Sequence, residues 1–291
     1  MTRAQGLAGV PQDGYPNHVE RVVLYLTNRA RTEPSRFNEL GAYAPRPPLR
    51  YDRKLSEAGR FHARHIVEAS CWCADHSSCC ALEGQGDDVA CASAPGACGG
   101  EDAASRVQRW TTSYSGENMA KGYPTPEAAV EGWIGSPGHW ENINASHTLL
   151  GVGEFQEQAW VQDFGSGGGA PPIAEDGVHF GEGNLTRFGI TYYQPGTGGP
   201  RAIMAIIDGE CHDLALASGT AEHGAFEVGK SLGAGCHRYY FFVETGDGTQ
   251  LTYPEAGSLG VAVGAGADCP AFDENRPADT CSPAGQTCTT G

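Results

Sequence analysis

The side chains of three residues could serve as metal ligands, and each residue lies in a short polar motif. They are His76, Glu117 and His139. Neutral imidazole is a common ligand of borderline metals such as Zn²⁺, and a carboxylate could bind the metal directly or orient a water molecule. Two histidines, one glutamate and a water would suit a hydrolytic zinc site. The alternative interpretation is a buried hydrogen-bond network that tethers loops to a sheet.

The segment around His139 predicts the start of a helix. Ser136 can cap this helix, and Pro137 suits its first turn. His139 would then lie at the positive end of the helix dipole, which disfavours the imidazolium form. A neutral ring is the form that binds metals.

Eleven cysteines indicate an oxidising compartment. Six of them crowd into a Gly- and Ser-rich stretch between Cys71 and Cys98, which favours disulfides that staple irregular loops. A structural zinc cluster with His76 is the alternative, although the spacings do not match C-x2-C pairs. We therefore expect a secreted or cell-surface protein whose signal peptide is not part of this sequence, because residues 1–6 lack an apolar h-region.

Composition excludes several functional classes. A formal net charge of −16 argues against electrostatic binding of nucleic acid. The longest apolar runs are far shorter than the ~20 residues that span a bilayer, so we expect no membrane span.

Helix signals dominate the first half of the chain. Asn17 to Glu20 has the form of a capping box before a run of apolar residues at helical spacing. Further helices are predicted over 54–69 and 125–135, and two strands of a hairpin over 149–155 and 159–164.

A Gly/Pro-rich segment divides this half from a second half of short β runs that suggest an Ig-like sandwich. The fold class is therefore α+β, with an all-β domain second. The predicted organisation is an N-terminal extension 1–15, a first domain 16–166 with a Cys-rich insertion 79–101, a linker 167–176, a β module 177–264 and a Cys-rich tail 265–291.

Four motifs of the first domain together resemble the bacterial branch of the CAP superfamily, also called SCP-like extracellular or SCP/TAPS proteins. Their order and spacing carry the resemblance, since each motif alone is weak. The motifs are Leu55 to Ala63 followed by Asp75-His76-Ser77, then Ser115-Gly-Glu-Asn-Met-Ala120, then Gly132 to Ile143 followed by Leu150-Gly-Val-Gly153, and finally Trp160-Val-Gln-Asp-Phe-Gly165.

The resemblance implies a three-layer α-β-α sandwich with a small antiparallel sheet and a large cleft. His76 and His139 match the family's two cleft histidines, which can hold Zn²⁺ or another divalent metal, and Glu117 matches one of its two glutamates. Ser136 stands where eukaryotic relatives have the second glutamate, which weakens a two-acid mechanism. Asn118 and Asn142 are expected to hold the cleft loops, with a ligand contact as the minority interpretation.

Three functions stay open. The leading one is a secreted CAP-domain protein whose cleft binds a small molecule, lipid, peptide or glycan, with or without metal, next to an accessory β module. A metal-assisted extracellular hydrolase, with Glu117 as the candidate catalytic residue, is the second. The third is a structural or adhesive surface protein.

Overall fold

The computed structural model describes residues 16–39, 43–182 and 185–264. These residues form two compact units. Residues 34–171 make up the first, which we call the α/β unit. Residues 16–33 join 172–264 in the second, which we call the β unit.

The helices begin at residues that suit helix starts. Asn17 forms the predicted capping box with Glu20, and Thr125 accepts from the backbone N–H of Ala128. The α-helices are α1 His18–Thr32, α2 Pro34–Phe37, α3 Arg53–Glu68, α4 Ala103–Val107, α5 Pro126–Ile134 and α6 Pro137–Asn144.

The α/β unit is built around a four-stranded sheet. Its strand order is β1-β5-β6-β4, with the β1–β5 pair parallel and the other pairs antiparallel. The predicted hairpin is the β5–β6 pair, and a small separate sheet joins β2 to β3. The strands of this unit are β1 Arg50–Tyr51, β2 Leu82–Glu83, β3 Ala90–Cys91, β4 Tyr114–Lys121, β5 Leu149–Phe155 and β6 Ala159–Gly165.

Helix α3 packs on β5 and β6. Its apolar stripe, including Leu55, Ala58 and Ile66, is fully buried. Gly151 and Gly153 of β5 lie against the backbone of this helix, where a Cβ atom on either glycine would overlap main-chain atoms. Glycine therefore permits the close approach of helix and sheet.

Three disulfides staple the segment that follows α3. They are Cys71–Cys79, Cys73–Cys98 and Cys80–Cys91, each with a Cα–Cα distance of 5.6 to 5.7 Å. The predicted local disulfides are thus confirmed, and no described cysteine is a free thiol. The bridges fix a stretch that contains His76 and little regular structure.

The β unit contains two sheets, one of order β10-β9-β13-β14 with β15 also paired to β13, and one of order β11-β12-β8-β7. A single core cluster, including Ile190, Ala205 and Phe241, joins the two sheets. The strands are β7 Val178–Glu182, β8 Leu185–Tyr193, β9 Ala202–Ile207, β10 Glu210–Asp213, β11 Ala215–Gly219, β12 His223–Lys230, β13 Gly235–Glu244, β14 Gln250–Tyr253 and β15 Leu259–Val263.

One strand of this unit differs from the sequence expectation. The stretch 212–217, which we predicted as one strand, divides at buried Leu214 between β10 and β11, and each part pairs in a different sheet. Helix α1, which we place at the start of the predicted domain 16–166, makes its packing contacts within the β unit, and that domain boundary stays a prediction. Val22 and Tyr25 of α1 pack against Val178 and Phe180 of β7, because this sheet has an apolar outer face that needs cover.

The predicted extension 1–15 and Cys-rich tail 265–291 lie outside the described residues. The boundaries 16–166, 167–176 and 177–264 stay predictions. Within the described ranges, no helix has both the length and the apolar character needed to cross a bilayer.

Candidate functional site

Glu117 on β4 lies at the centre of the site in the α/β unit. Its Oε1 is 2.8 Å from Nδ1 of His76, and its Oε2 accepts a 2.6 Å hydrogen bond from Nη2 of Arg106. The Glu117 side chain is 1% exposed, whereas that of His76 is 26% exposed. Both carboxylate oxygens are therefore engaged inside the protein, and only the imidazole reaches towards solvent.

Arg106 fixes two parts of the site at once. It lies on α4, is fully buried, and donates from Nη1 to the backbone carbonyl of His76 at 2.8 Å as well as to Glu117. A guanidinium can serve both partners because its donors form a rigid planar fork. Arg106 thereby connects the loop that carries His76 to strand β4 of the sheet.

His76 adopts an unusual backbone conformation. Its φ is +65°, in the left-handed region that residues other than glycine rarely enter. A turn hydrogen bond from the His76 N–H to the Cys73 carbonyl, 2.9 Å long, and the bond from Arg106 hold it there. Such strain persists only where the surroundings impose it, and it is common at functional sites.

Asn118 and Asn142 join β4 to α6. The Nδ2 of Asn118 donates to the carbonyl of His139 at 3.2 Å and to Gln162 at 3.0 Å. Asn142 donates to the Glu117 carbonyl and to Oδ1 of Asn118. Both amides therefore position the strand and the helix that carry the predicted ligands.

His139 lies in the first turn of α6, which begins with Ser136 as the N-cap residue and Pro137 as the first helical residue. The side chain of Ser136 makes no capping hydrogen bond. Burial, together with the nearby charge of His76, lowers the pKa of His139 from its ordinary value. The ring is therefore neutral at pH 7, as a metal ligand must be.

Electrostatics hold Glu117 in the ionised form. Burial alone would raise the pKa of its carboxyl, but the Arg106 guanidinium and the hydrogen bond with His76 keep this pKa well below the usual range. Burial and the Arg106 charge also lower the pKa of His62 to about 3. His62 is a neutral core residue, with Nε2 3.0 Å from the sulfur of Met119.

Asp163 on β6 adds a second carboxyl beside Glu117. The two residues are directly opposite each other in the antiparallel β4–β6 pair, so their side chains share one face of the sheet. Asp163 is fully buried. Burial and the adjacent Glu117 charge raise the pKa of Asp163 well above its usual range, because two neighbouring buried carboxyls cannot both ionise.

The Asp163→Asn variant tests this protonation state. Because its pKa is raised, the Asp163 carboxyl stays protonated in the folded state, whereas in the unfolded state it loses its proton above about pH 4. The free energy of unfolding of the wild type therefore falls as pH rises from about 4 towards the folded-state pKa. We expect the variant to gain stability relative to wild type between pH 4 and 8, by at most about 1.4 kcal/mol per pH unit. Urea denaturation followed by tryptophan fluorescence measures the difference. Parallel pH profiles for the two proteins would show that Asp163 is ionised in the fold.

Away from Glu117, the described residues contain three groups of cysteine and histidine side chains whose ligand atoms lie close together. Groups whose ligand atoms lie within 4.8 Å of one another are His65 with Cys71 and Cys79, His65 with Cys80 and Cys91, and Cys73 with Cys79 and Cys98. All these sulfurs form disulfides, and only a thiolate binds metal. His76, Glu117 and His139 do not form such a three-ligand group in this conformation.

Comparison with known proteins identifies the region that contains this site. The sequence model of the Cysteine-rich secretory protein family, CAP, matches residues 24–164. Residues 24–164 are a CAP domain. The resemblance inferred from the motifs is thus confirmed for this part of the chain.

Two relatives match parts of the chain. An uncharacterised protein of Bacillus subtilis strain 168, YkwD, is 46% identical over 52 residues, which are 17% of this chain and 20% of YkwD. The crystal structure of an extracellular protein with an SCP domain from Bacillus anthracis strain Ames superposes with a TM-score of 0.36 and 22% identity, over 51% of this chain and 40% of that one. The chain therefore matches less than half of each relative.

Sequence reasoning found only some of the residues around Glu117. His76 and Glu117 are in direct contact, and His139 lies close enough for the His76 charge to affect its pKa. Arg106 was missed because the five-residue α4 is too short to give a periodic signal. Asp163 was missed because every residue of β6 is buried, so strict alternation could not mark it as facing the site.

Proposed function

We propose that the CAP domain belongs to a secreted binding protein that holds a divalent metal through Nε2 of His76 and the ring of His139. The observation that carries this proposal is the 2.8 Å contact between Nδ1 of His76 and Glu117. A metal-binding histidine almost always has its other ring nitrogen on a carboxylate or carbonyl, which fixes the ring and its tautomer.

The donor set fits Zn²⁺ or a similar metal. His76 Nδ1 faces Glu117 and leaves Nε2 for the metal, while the lowered pKa of His139 supplies a second neutral imidazole. Glu117 is an orienting residue in this proposal and not a third ligand, since Arg106 and His76 occupy its two oxygens. A bound metal would supply Lewis acidity and open coordination positions for an oxygen- or nitrogen-bearing ligand.

Binding is favoured over hydrolysis because Glu117 is a poor proton acceptor. Its pKa is held well below the usual range, and an efficient general base needs a pKa near the working pH. Asp163 is fully buried and cannot reach a substrate. The bound ligand, the secreted location and an Ig-like recognition role for the β unit are parts of the same proposal, supported by the disulfides and by the two packed sheets.

Calorimetric titration with Zn²⁺ tests the site. We expect roughly equimolar binding by wild type, loss of binding in His76→Ala and in His139→Ala, and unchanged binding in the control His212→Ala on β10. Glu117→Gln should weaken affinity by about 10- to 100-fold, as expected for an orienting partner. Affinity should fall in acid as pH drops through the lowered pKa of His139, which lies below the ordinary histidine value of about 6.5, because protonated imidazole cannot bind metal.

Other outcomes would contradict the proposal. Unchanged Zn²⁺ binding in His139→Ala would place the metal elsewhere. Absence of binding by wild type would leave the Arg106–Glu117–His76 group as a structural network. Full affinity in Glu117→Gln would remove the orienting role while leaving the histidine ligands in place.

A further inference from the structure

The Cys-rich insertion and helix α3 line a solvent-open pocket of about 340 Å³ within the α/β unit. Its lining comes from the outward stripe of α3, and from the short 3-10 turn Gly86–Asp88 with Val89. This volume lies within the range typical of small-molecule sites. None of the residues proposed for the metal site lines it.

Three arginines give the pocket a cationic side. Arg53, Arg60 and Arg64 are spaced seven and four residues apart, which places them on one face of α3. Because Glu57 and Asp87 also line the pocket, the three arginines leave it a formal charge of +1 (three minus two), whereas the whole chain has 19 basic and 35 acidic residues. Guanidinium groups bind carboxylate and phosphate through paired hydrogen bonds.

Aromatic rings and acidic side chains complete the lining. Phe61 and Trp110 line the pocket with ring centroids 5.4 Å apart, and both are only partly buried. Asp87 supplies a carboxylate acceptor, and so does Glu57, whose Oε1 already accepts a 2.7 Å hydrogen bond from Nε of Arg53. A bare anion would have no use for the rings, and an aromatic acid would have no hydroxyl donors for these two carboxylates.

The insertion wall is held in place before any ligand binds. The Cys80–Cys91 disulfide closes the loop that contains Gly86 and Asp87. Arg109 donates to the carbonyls of Leu82 and Gly84 at 2.7 and 2.9 Å, and its own carbonyl accepts from the Gly86 N–H. A preformed wall reduces the entropy lost on binding.

We propose that this pocket binds an acidic sugar, a pyranose ring that carries a carboxylate or a phosphate. Arg60 and Arg64, one helical turn apart, would bind the acidic group, since Arg53 already pairs with Glu57. Phe61 and Trp110 would contact the apolar face of the ring, and Glu57 and Asp87 would accept from its hydroxyls. The site is separate from the proposed metal centre and does not depend on it.

Calorimetric titration of the full chain at low ionic strength tests this, with glucuronic acid, glucose 6-phosphate, glucose and inorganic phosphate as probes. We expect at least one acidic sugar to bind in about the millimolar range or tighter, and glucose and inorganic phosphate each at least about tenfold more weakly. The stronger of the two acidic sugars identifies the acidic group.

Matched variants separate this pocket from general charge effects. Arg64→Gln, at an exposed position, should weaken binding of the acidic sugar by about tenfold or more, whereas Arg201→Gln on the β unit removes the same charge and should change nothing. Trp110→Leu should lower the affinity for the acidic sugar to the affinity that inorganic phosphate shows. Equal binding of glucose, equal binding of inorganic phosphate, no binding of either acid, or equal effects of the two arginine variants would each overturn the proposal.

Discussion

Replacing Arg106 with methionine is expected to lower the free energy of unfolding of the α/β unit by about 3–5 kcal/mol. Arg106 is fully buried and forms its ion pair with Glu117, whose side chain is 1% exposed. Without the guanidinium, Glu117 and Asp163 would be two buried carboxyls with no buried cation between them. The His76 carbonyl would also lose its donor.

Tryptophan fluorescence during urea denaturation measures this loss in free energy of unfolding, because it reports on the α/β unit. The five tryptophans lie at positions 72, 110, 133, 140 and 160, all within the α/β unit. The control Arg64→Met removes an exposed arginine of the same unit and should change stability by no more than about 0.5 kcal/mol.

A double variant distinguishes the lost ion pair from lost packing. Glu117→Gln in the Arg106→Met background removes the uncompensated charge, so the double variant should be more stable than the sum of the two single losses predicts. Additive losses would show that Arg106 acts through packing alone. A loss below about 1 kcal/mol in Arg106→Met would contradict the account of a buried, coupled charge group.

The second large effect is expected for Gly153→Ala. The new Cβ would overlap the main-chain carbonyl carbon of Gly59 on α3, and no side-chain rotation can relieve a clash with backbone. Helix and sheet would have to separate, so we expect a loss of about 3 kcal/mol or more in the free energy of unfolding.

Gly138→Ala is the matched control for this variant. Gly138 lies in the first turn of α6, where a Cβ would meet nothing within 4 Å. Alanine should be neutral or slightly stabilising there, because it is the better helix former. If the two alanine variants unfold at the same urea concentration, the proposed close approach of β5 to α3 is wrong.

The sequence by itself determined the features that depend on local chemistry. Helix starts at Asn17 and Thr125 followed from capping residues whose side chains satisfy free backbone N–H groups. The β5–β6 hairpin followed from two apolar runs with a short polar connection, and the disulfides followed from crowded cysteines. The motifs around Glu117 were enough to indicate the CAP family.

Only the tertiary structure decided which groups face Glu117. Arg106 reaches it from α4 and Asp163 from β6, and no spacing in the sequence predicts either contact. The same holds for α1, which packs in the β unit because the apolar face of β7 lies there. The pKa values of Glu117 and Asp163 move in opposite directions for the same reason, since burial and partner charge are properties of the packed interior and not of the residue type.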